Sequence, residues 1–364
     1  MNVITEHNQF GSTGTGLRRQ MNQTTASSER EFVNAFRADI IDLFKRQKGG
    51  HTSRWTYTGR ERPAHQPSGS QLWSDFVAAA RNYYIPAAEI QLIQHSLPVL
   101  SQRFREADTL VDFGSGDRFA YANKVAPILG ETPNISTYVP IDISEDLLEG
   151  VEHAAKADGS SRKVVSICSD FYKNRPKIVM PGQRRAGVML GATISNMNMT
   201  EEQGFPENNI IEKIQALGNL LRKHSDGGPT VLALGYDSNQ DLKGSALAAY
   251  DDVNWRRMIV GLMIDVKTVL NPEGDFDPFA WHYEGIPDVR NQVIHQCAVA
   301  DRDQKFFIGN EPFYIGRGQR FVIVNNFKYS PVVLQDLIEK AGYKPDDVIT
   351  MPDNPMAIQT MTIG

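Results

Sequence analysis

Thr109-Leu-Val-Asp-Phe-Gly-Ser-Gly-Asp-Arg-Phe119 decides the fold, because an apolar run leads into a glycine pair and then into a helix-compatible segment. Leu110, Val111 and Phe113 give the continuous apolar run of a strand covered on both faces, as in a parallel sheet. Gly114 and Gly116 let the backbone turn sharply and approach a ligand closely. Further on, Thr137-Tyr-Val-Pro-Ile-Asp-Ile-Ser144 reads as a second strand ending in Asp142, at the distance where an acid accepts both hydroxyls of a ribose. Strand, glycine turn, helix, strand and acid form one unit suited to a nucleotide-like ligand.

A Gly-x-Gly alone is a weak signal, since such a pair more often makes a tight turn between core elements. The preceding strand and the following acid strengthen it. Gly114-Ser115-Gly116 lacks a third glycine at the dinucleotide spacing, which favours S-adenosylmethionine (SAM) over a cofactor whose pyrophosphate must sit on a helix N-terminus. The unit points to a methyltransferase.

The rest of the composition narrows the field. With 364 residues the chain has room for two modules or one elaborated domain. A net charge of -5 argues against a nucleic-acid partner, which needs a concentrated basic surface. Cys168 and Cys297 stand far apart and the eight histidines show no ligand spacing, so neither a disulfide framework nor a metal site is expected. Residues 1–29 are rich in Asn, Thr, Ser and Gly without an apolar stretch and read as a flexible arm, not a signal peptide. No run approaches the ~18 apolar residues of a membrane span, so a cytoplasmic protein with a small-molecule partner is expected.

Helical periodicity marks Glu31 to Arg46 and, broken at Ile85-Pro86, Gln71 to Leu100. From Asp108 strands and helices alternate, with strands at Lys163 to Cys168, Ala186 to Ile194 and Thr230 to Gly235, which implies a parallel sheet with helices on both faces. Thr200 to Gln203 reads as a turn, and Gly227-Gly228 stops the helix that begins near Ile210. After a long helix over Asn254 to Leu270 come short β-rich runs that suggest antiparallel hairpins, one turning at Asp301-Arg-Asp303. The helix Pro331 to Ala341 and the strand Met356 to Thr362 return to the parallel sheet. The expected division is an arm (1–29), helices of a substrate domain (30–90), a SAM-binding domain (91–237), an inserted part of the substrate domain (238–322) and the end of the methyltransferase domain (323–364).

Arg54-Trp-Thr-Tyr57, Gly69-Ser-Gln-Leu-Trp73, Asn82-Tyr-Tyr-Ile-Pro86, the Asp112 to Gly116 turn, Tyr138 to Asp142, Asp170-Phe171, Gly191 to Asn196, Ala249 to Asp252, Asp275 to Pro278 and Phe327 to Ser330 occur in that order. Together they resemble the histidine-specific Nα-methyltransferases of ergothioneine biosynthesis, a natural-product pathway. The superfamily also holds dimethylallyltryptophan N-methyltransferases. The resemblance implies an α/β fold, a class I SAM-methyltransferase Rossmann-like sheet with a second α+β domain closing over an amino acid. It implies that Gly114, Ser115 and Gly116 back the methionine moiety, Asp142 the ribose, and Asp170 with Phe171 the adenine, while Tyr57 and Trp73 close the cofactor pocket. It places Tyr83, Asn196 and Tyr250 at the substrate's carboxylate and amine. On their own chemistry, Tyr57 as a weak acceptor and Asn196 are expected nearest the reacting amine, and Lys328-Tyr329 reads as structural.

Departures from that pattern bear on the substrate. Where the family grips an imidazole with glutamate and serine, this chain has Val324 and Asn326, and a pocket position often methionine falls near His295. Valine cannot accept from an imidazole N–H, and an unpaired buried donor costs about 1–3 kcal/mol. The lysine expected after the glycine turn is replaced at Ala120, and an insertion separates Tyr57 from Gly69. The expectation is an N-methyltransferase of a free amino acid other than histidine. The alternatives are methylation of a side-chain nitrogen, read by His295 and Asn326, or a non-catalytic SAM-binding module.

Overall fold

A computed structural model describes residues 14–47, 51–172, 181–196, 206–222 and 230–364. The quoted stretch forms β1 (Thr109–Phe113), buried along its whole length, and the glycine turn follows it. Strand β1 pairs in parallel with β2 (Thr137–Asp142) on one side and β5 (Arg185–Met189) on the other. Strand β6 (Thr230–Asp237) continues the parallel run from β5. The outer strands on that side are β14 (Met356–Ile363), antiparallel to β6, and then β13 (Lys344–Ile349). The terminal strand thus returns to the sheet reversed, wedged between β6 and β13.

The strand expected over Lys163 to Cys168 is two short pieces, β3 (Lys163–Val164) and β4 (Ile167–Cys168), both paired with β2. None of their four residues is buried, so little side-chain packing rewards an unbroken ladder at this edge. The expected helix after the glycine turn is α4 (residues 118–130), opened by the Asp117 side chain capping Ala120 N and interrupted by a π-helical turn at Tyr121–Val125. Helix α5 (Glu145–Ala157) carries acids in its first turn, and α6 (Glu207–Arg222) packs on β5 and β6. The turn read at Thr200 to Gln203 and the helix stop at Gly227-Gly228 lie outside the described residues.

Two corrections concern the first ninety residues. Helix α1 (Gly14–Arg46) begins inside the stretch read as an arm; the sequence from Leu17 to Arg46 contains no proline or glycine to stop it. Helix α3 (Ile85–Phe104), with Pro86 in its first turn, runs unbroken across the expected domain edge at 90 and 91, and it packs on β6 and β14 of the main sheet. The helices before it face the insertion: α2 (Gly69–Ala79), capped by Ser68, packs on α7 (Val253–Leu270), capped by Asp252.

The insertion makes two antiparallel three-stranded sheets. One has the order β11 (Glu311–Ile315), β10 (Gln304–Ile308), β7 (Glu273–Gly274); the other has β12 (Arg320–Phe327), β9 (Val293–Ala300), β8 (Trp281–Asp288). The expected edge between 322 and 323 falls inside β12. Phe44 of α1 ties these sheets together, its ring 5.4–5.5 Å from those of Phe306, Phe313 and Phe321. Among the described residues no helix is long and apolar enough to cross a membrane.

Candidate active site

A cavity opens where β1, β2 and β5 end, and the glycine turn forms part of its wall. Gly114 and Gly116 hold φ of +74° and +67°, which a side chain would strain. A Cβ on Gly114 would stand 3.1 Å from Thr193, so the turn is as narrow as the backbone allows. Asp142 accepts from Gly116 N at 3.1 Å and from Ser144 N at 3.0 Å, which fixes its carboxylate beside the turn. Burial raises its pKa and these N–H groups oppose the rise. Ser115, Asp170 and Phe171 also line the cavity. Asp170 is shared: Arg54, from the 3-10 turn His51–Tyr57, donates to it at 2.7 Å and to Asp39 of α1 at 2.7 Å.

Deeper in the same wall lies a cluster that the sequence reading missed. Glu89 of α3, fully buried, accepts from Lys124 Nζ at 2.6 Å and from Gly191 N at 2.8 Å. Asp112 adds a second acid, takes a hydrogen bond from Tyr138 at 2.8 Å, and is pushed up to about 7 chiefly by burial. The available signal was Lys124 itself, one helical turn beyond Ala120 and therefore on the same side of α4.

The other end of the cavity is aromatic. Trp73 makes edge contacts with Tyr57 at 5.4 Å and Tyr83 at 6.0 Å, and Tyr250 lies 4.9 Å from Trp255. All five rings line the cavity, together with Asn196, Asn326 and Lys328. Asn326 donates to Asn196 Oδ1 at 2.7 Å and accepts from Gln296 at 2.6 Å; Gln296 Oε1 in turn accepts from Trp255 Nε1 and Tyr283 Oη. Asn196 hydrogen bonds Tyr57, whose phenol is held far above its ordinary pKa mainly by burial and stays neutral. Beneath Tyr250, the buried Lys328 donates to its hydroxyl at 3.2 Å and to Asp237 at 2.5 Å, while Tyr84 donates to the same Asp237 oxygen at 2.7 Å. Lys328, read as structural, stands wholly buried behind Tyr250 at the cavity wall.

Two expected positions are corrected. His295 does not line the cavity: its Nδ1 pairs with Asn325 Oδ1 at 2.7 Å and its Nε2 lies 3.8 Å from Asp288. On β9 side chains alternate, so the neighbouring Gln296 takes the inner face, a one-residue slip that reverses the direction of every side chain. Val324 pairs with Gln296 across the sheet and sits in the apolar core, 1% exposed, away from the cavity wall. The amide of Gln296 reaches Asn326 instead, and no motif marked it.

The lining suits SAM. Among the described residues Ser115 Oγ and Ser195 Oγ are buried without a hydrogen-bond partner, the glycine cradle excludes side chains, and acids and a lysine line the wall for a ligand that carries both charges. Sheet order β3-β2-β1-β5-β6-β14-β13, with only β14 reversed against its neighbours, and a cavity beside the glycine turn define a class I SAM-dependent methyltransferase. Residues 36–362 match the family of histidine-specific, SAM-dependent methyltransferases, and the chain belongs to it.

Uncharacterized protein y4iF of Sinorhizobium fredii is 24% identical over 255 residues, 68% of this chain and 79% of that protein. Solved structures with partial similarity include a S-adenosylmethionine-dependent methyltransferase from Clostridium acetobutylicum, 11% identical with a TM-score of 0.41 over 81% of this chain and 97% of that one. Another is SAM-bound CalS10, an amino pentose methyltransferase from Micromonospora echinaspora, 9% identical with a TM-score of 0.40 over 81% and 97% of the two chains. The fold class rests on the strand order and the family match.

Proposed function

We propose that this methyltransferase acts on the main-chain amine of a free amino acid other than histidine, one whose side chain is aromatic or otherwise weakly polar. The observation that carries this reading is the pairing of Lys328 with Tyr250. Because the Tyr250 oxygen accepts from Lys328, its own hydrogen is left to donate into the cavity, where Asn196 and Tyr83 lie nearby. That set suits a carboxylate beside an amine. Among the described residues, the aromatic end, made by Tyr57, Trp73, Tyr83, Tyr250, Trp255, Asn196, Asn326 and Lys328, contains no carboxylate to receive an imidazole N–H. The Asn326 amide is already engaged by Gln296 and Asn196.

Bound SAM would supply a methyl group made electrophilic by its sulfonium. Gly114 to Gly116, Asp142 and the rim residues Asp170 and Phe171 would hold it on one side, with Tyr57 and Trp73 between it and the substrate. The residues' main work is then alignment, since attack needs the amine nitrogen, methyl carbon and sulfur in line. Tyr57 and Asn196 would orient the amine's lone pair. A neutral Tyr57 accepts a hydrogen bond but does not take a proton, so the amine is deprotonated by solvent before attack and the rate of kcat/KM rises with pH through the amine's own pKa.

Incubation with labelled SAM and single amino acids, read by mass spectrometry, tests the reading. Turnover of an aromatic or aliphatic amino acid above histidine is expected, with fragmentation placing the label on the main-chain nitrogen. Preferred turnover of histidine, or a label on a side-chain nitrogen, would defeat it.

A further inference from the structure

We propose that Lys124, oriented by Glu89, binds the carboxylate of the amino-acid end of SAM and that Asp112 faces its ammonium. This inference rests on SAM binding alone, not on the identity of the methyl acceptor.

Among the described residues, four cations line the cavity: Arg54, Lys124, Lys213 and Lys328. Arg54 divides its guanidinium between Asp39 and Asp170 at the rim. Lys213 lies over the Tyr172 ring at 4.7 Å, and Lys328, wholly inaccessible, is spent on Asp237 and Tyr250. Lys124 differs in place. Its ammonium stands beside Gly191, 3.6 Å from where a Cβ would project, on the helix that grows out of the glycine turn. Ala120 presents only a methyl, 3.5 Å from the Cβ position of Gly116, where a lysine would be bulkier. Glu89 takes one of Lys124's three donors at 2.6 Å and is itself anchored by Gly191 N, which leaves the ammonium aimed but not exhausted.

The acids complete the match. Asp112 sits at the end of the same wall, with Tyr138 and Asp142 facing it from β2, Lys124 from α4 and Glu89 from α3. A zwitterion is the one part of SAM that needs both an ammonium and carboxylates within a few ångströms, and the cluster offers both. Ser115 Oγ, buried and unpartnered on the turn between them, adds a donor and acceptor.

Calorimetry with two ligands tests this: S-adenosylhomocysteine, which has the amino-acid end, and 5′-methylthioadenosine, which lacks it. Lys124→Met is expected to weaken S-adenosylhomocysteine binding about 10- to 100-fold, the range of a charge-assisted hydrogen bond, and to leave methylthioadenosine within about threefold. Loss of equal size for both ligands, or for neither, would overturn the proposal. Should Lys124→Met fail to fold with Glu89 left charged, the pair Glu89→Gln with Lys124→Met removes both charges and is read the same way.

Wild-type protein supplies a further measurement. An ammonium set against a carboxyl whose pKa burial pushes up draws it to the charged form, so near pH 7 S-adenosylhomocysteine should release a fraction of a proton, seen by repeating the titration in buffers of different ionisation enthalpy. Methylthioadenosine should release none, and equal release by both would overturn the role of Asp112. A wrong methyl acceptor would leave all these binding results untouched.

Discussion

Two buried lysine–carboxylate pairs flank the cavity, and they are built differently. Lys328 with Asp237 is sealed, both side chains at 0% exposure, and is surrounded by Tyr84 and Tyr250. Lys124 with Glu89 retains 8% exposure on the lysine and meets the cavity directly. The sealed pair offsets its desolvation with internal hydrogen bonds, so it acts on a ligand only through the tyrosine it supports. The open pair keeps donors in reserve.

The largest expected effect of breaking this contrast is at the sealed site. Lys328→Met should lower stability by about 3–5 kcal/mol in urea unfolding, because Asp237 is left charged and buried. Adding Asp237→Asn should recover much of that loss, whereas a double variant as unstable as the single would show the pair to be irrelevant. Next is Gln296→Leu, which strips partners from Tyr283, Trp255 and Asn326; each orphaned group costs about 1–3 kcal/mol, read as a fall in Tm. An unchanged Tm would mean that the relay contributes nothing.

Asp112 gives a smaller effect with a defined sign. Its carboxyl titrates near 7 in the folded chain and near 4 when unfolded, so between those values the folded state holds a proton that the unfolded state releases. That contribution is complete below about pH 4 and is lost as pH rises to 7, at about 1.4 kcal/mol per pH unit. Asp112→Asn should therefore gain stability relative to wild type between pH 5 and pH 8, and parallel profiles would refute the assignment. The smallest effect on turnover is at His295→Ala, expected to change kcat/KM by less than about 0.5 kcal/mol in barrier, since its ring pairs with Asn325 and Asp288 and does not reach the cavity.

The sheet was legible because its strands carry unbroken apolar runs and its turn carries glycines at the two positions with positive φ. The aromatic and amide residues Tyr57, Trp73, Tyr83, Asn196 and Tyr250 were legible only as an ordered set. On their own, each passes for ordinary packing. Illegible were the partners that act through burial: Glu89 in the middle of a helix, Asp237 at a strand end, and Gln296, whose neighbour His295 drew attention because of its chemistry. Pairing register across β9 and β12, with a bulge between Val322 and Val324, decides which of the two adjacent residues turns inward, and register is a property of two strands that one strand's sequence does not carry.

Arg54 joins the first long helix to the lip of the cavity through Asp39 and Asp170, with its guanidinium also resting on Trp55 at 4.2 Å. One cation thus couples the first helix to the rim, and because Arg54, Asp39 and Asp170 are all at most 15% exposed, salt in solution screens that tie far less than it would a surface pair.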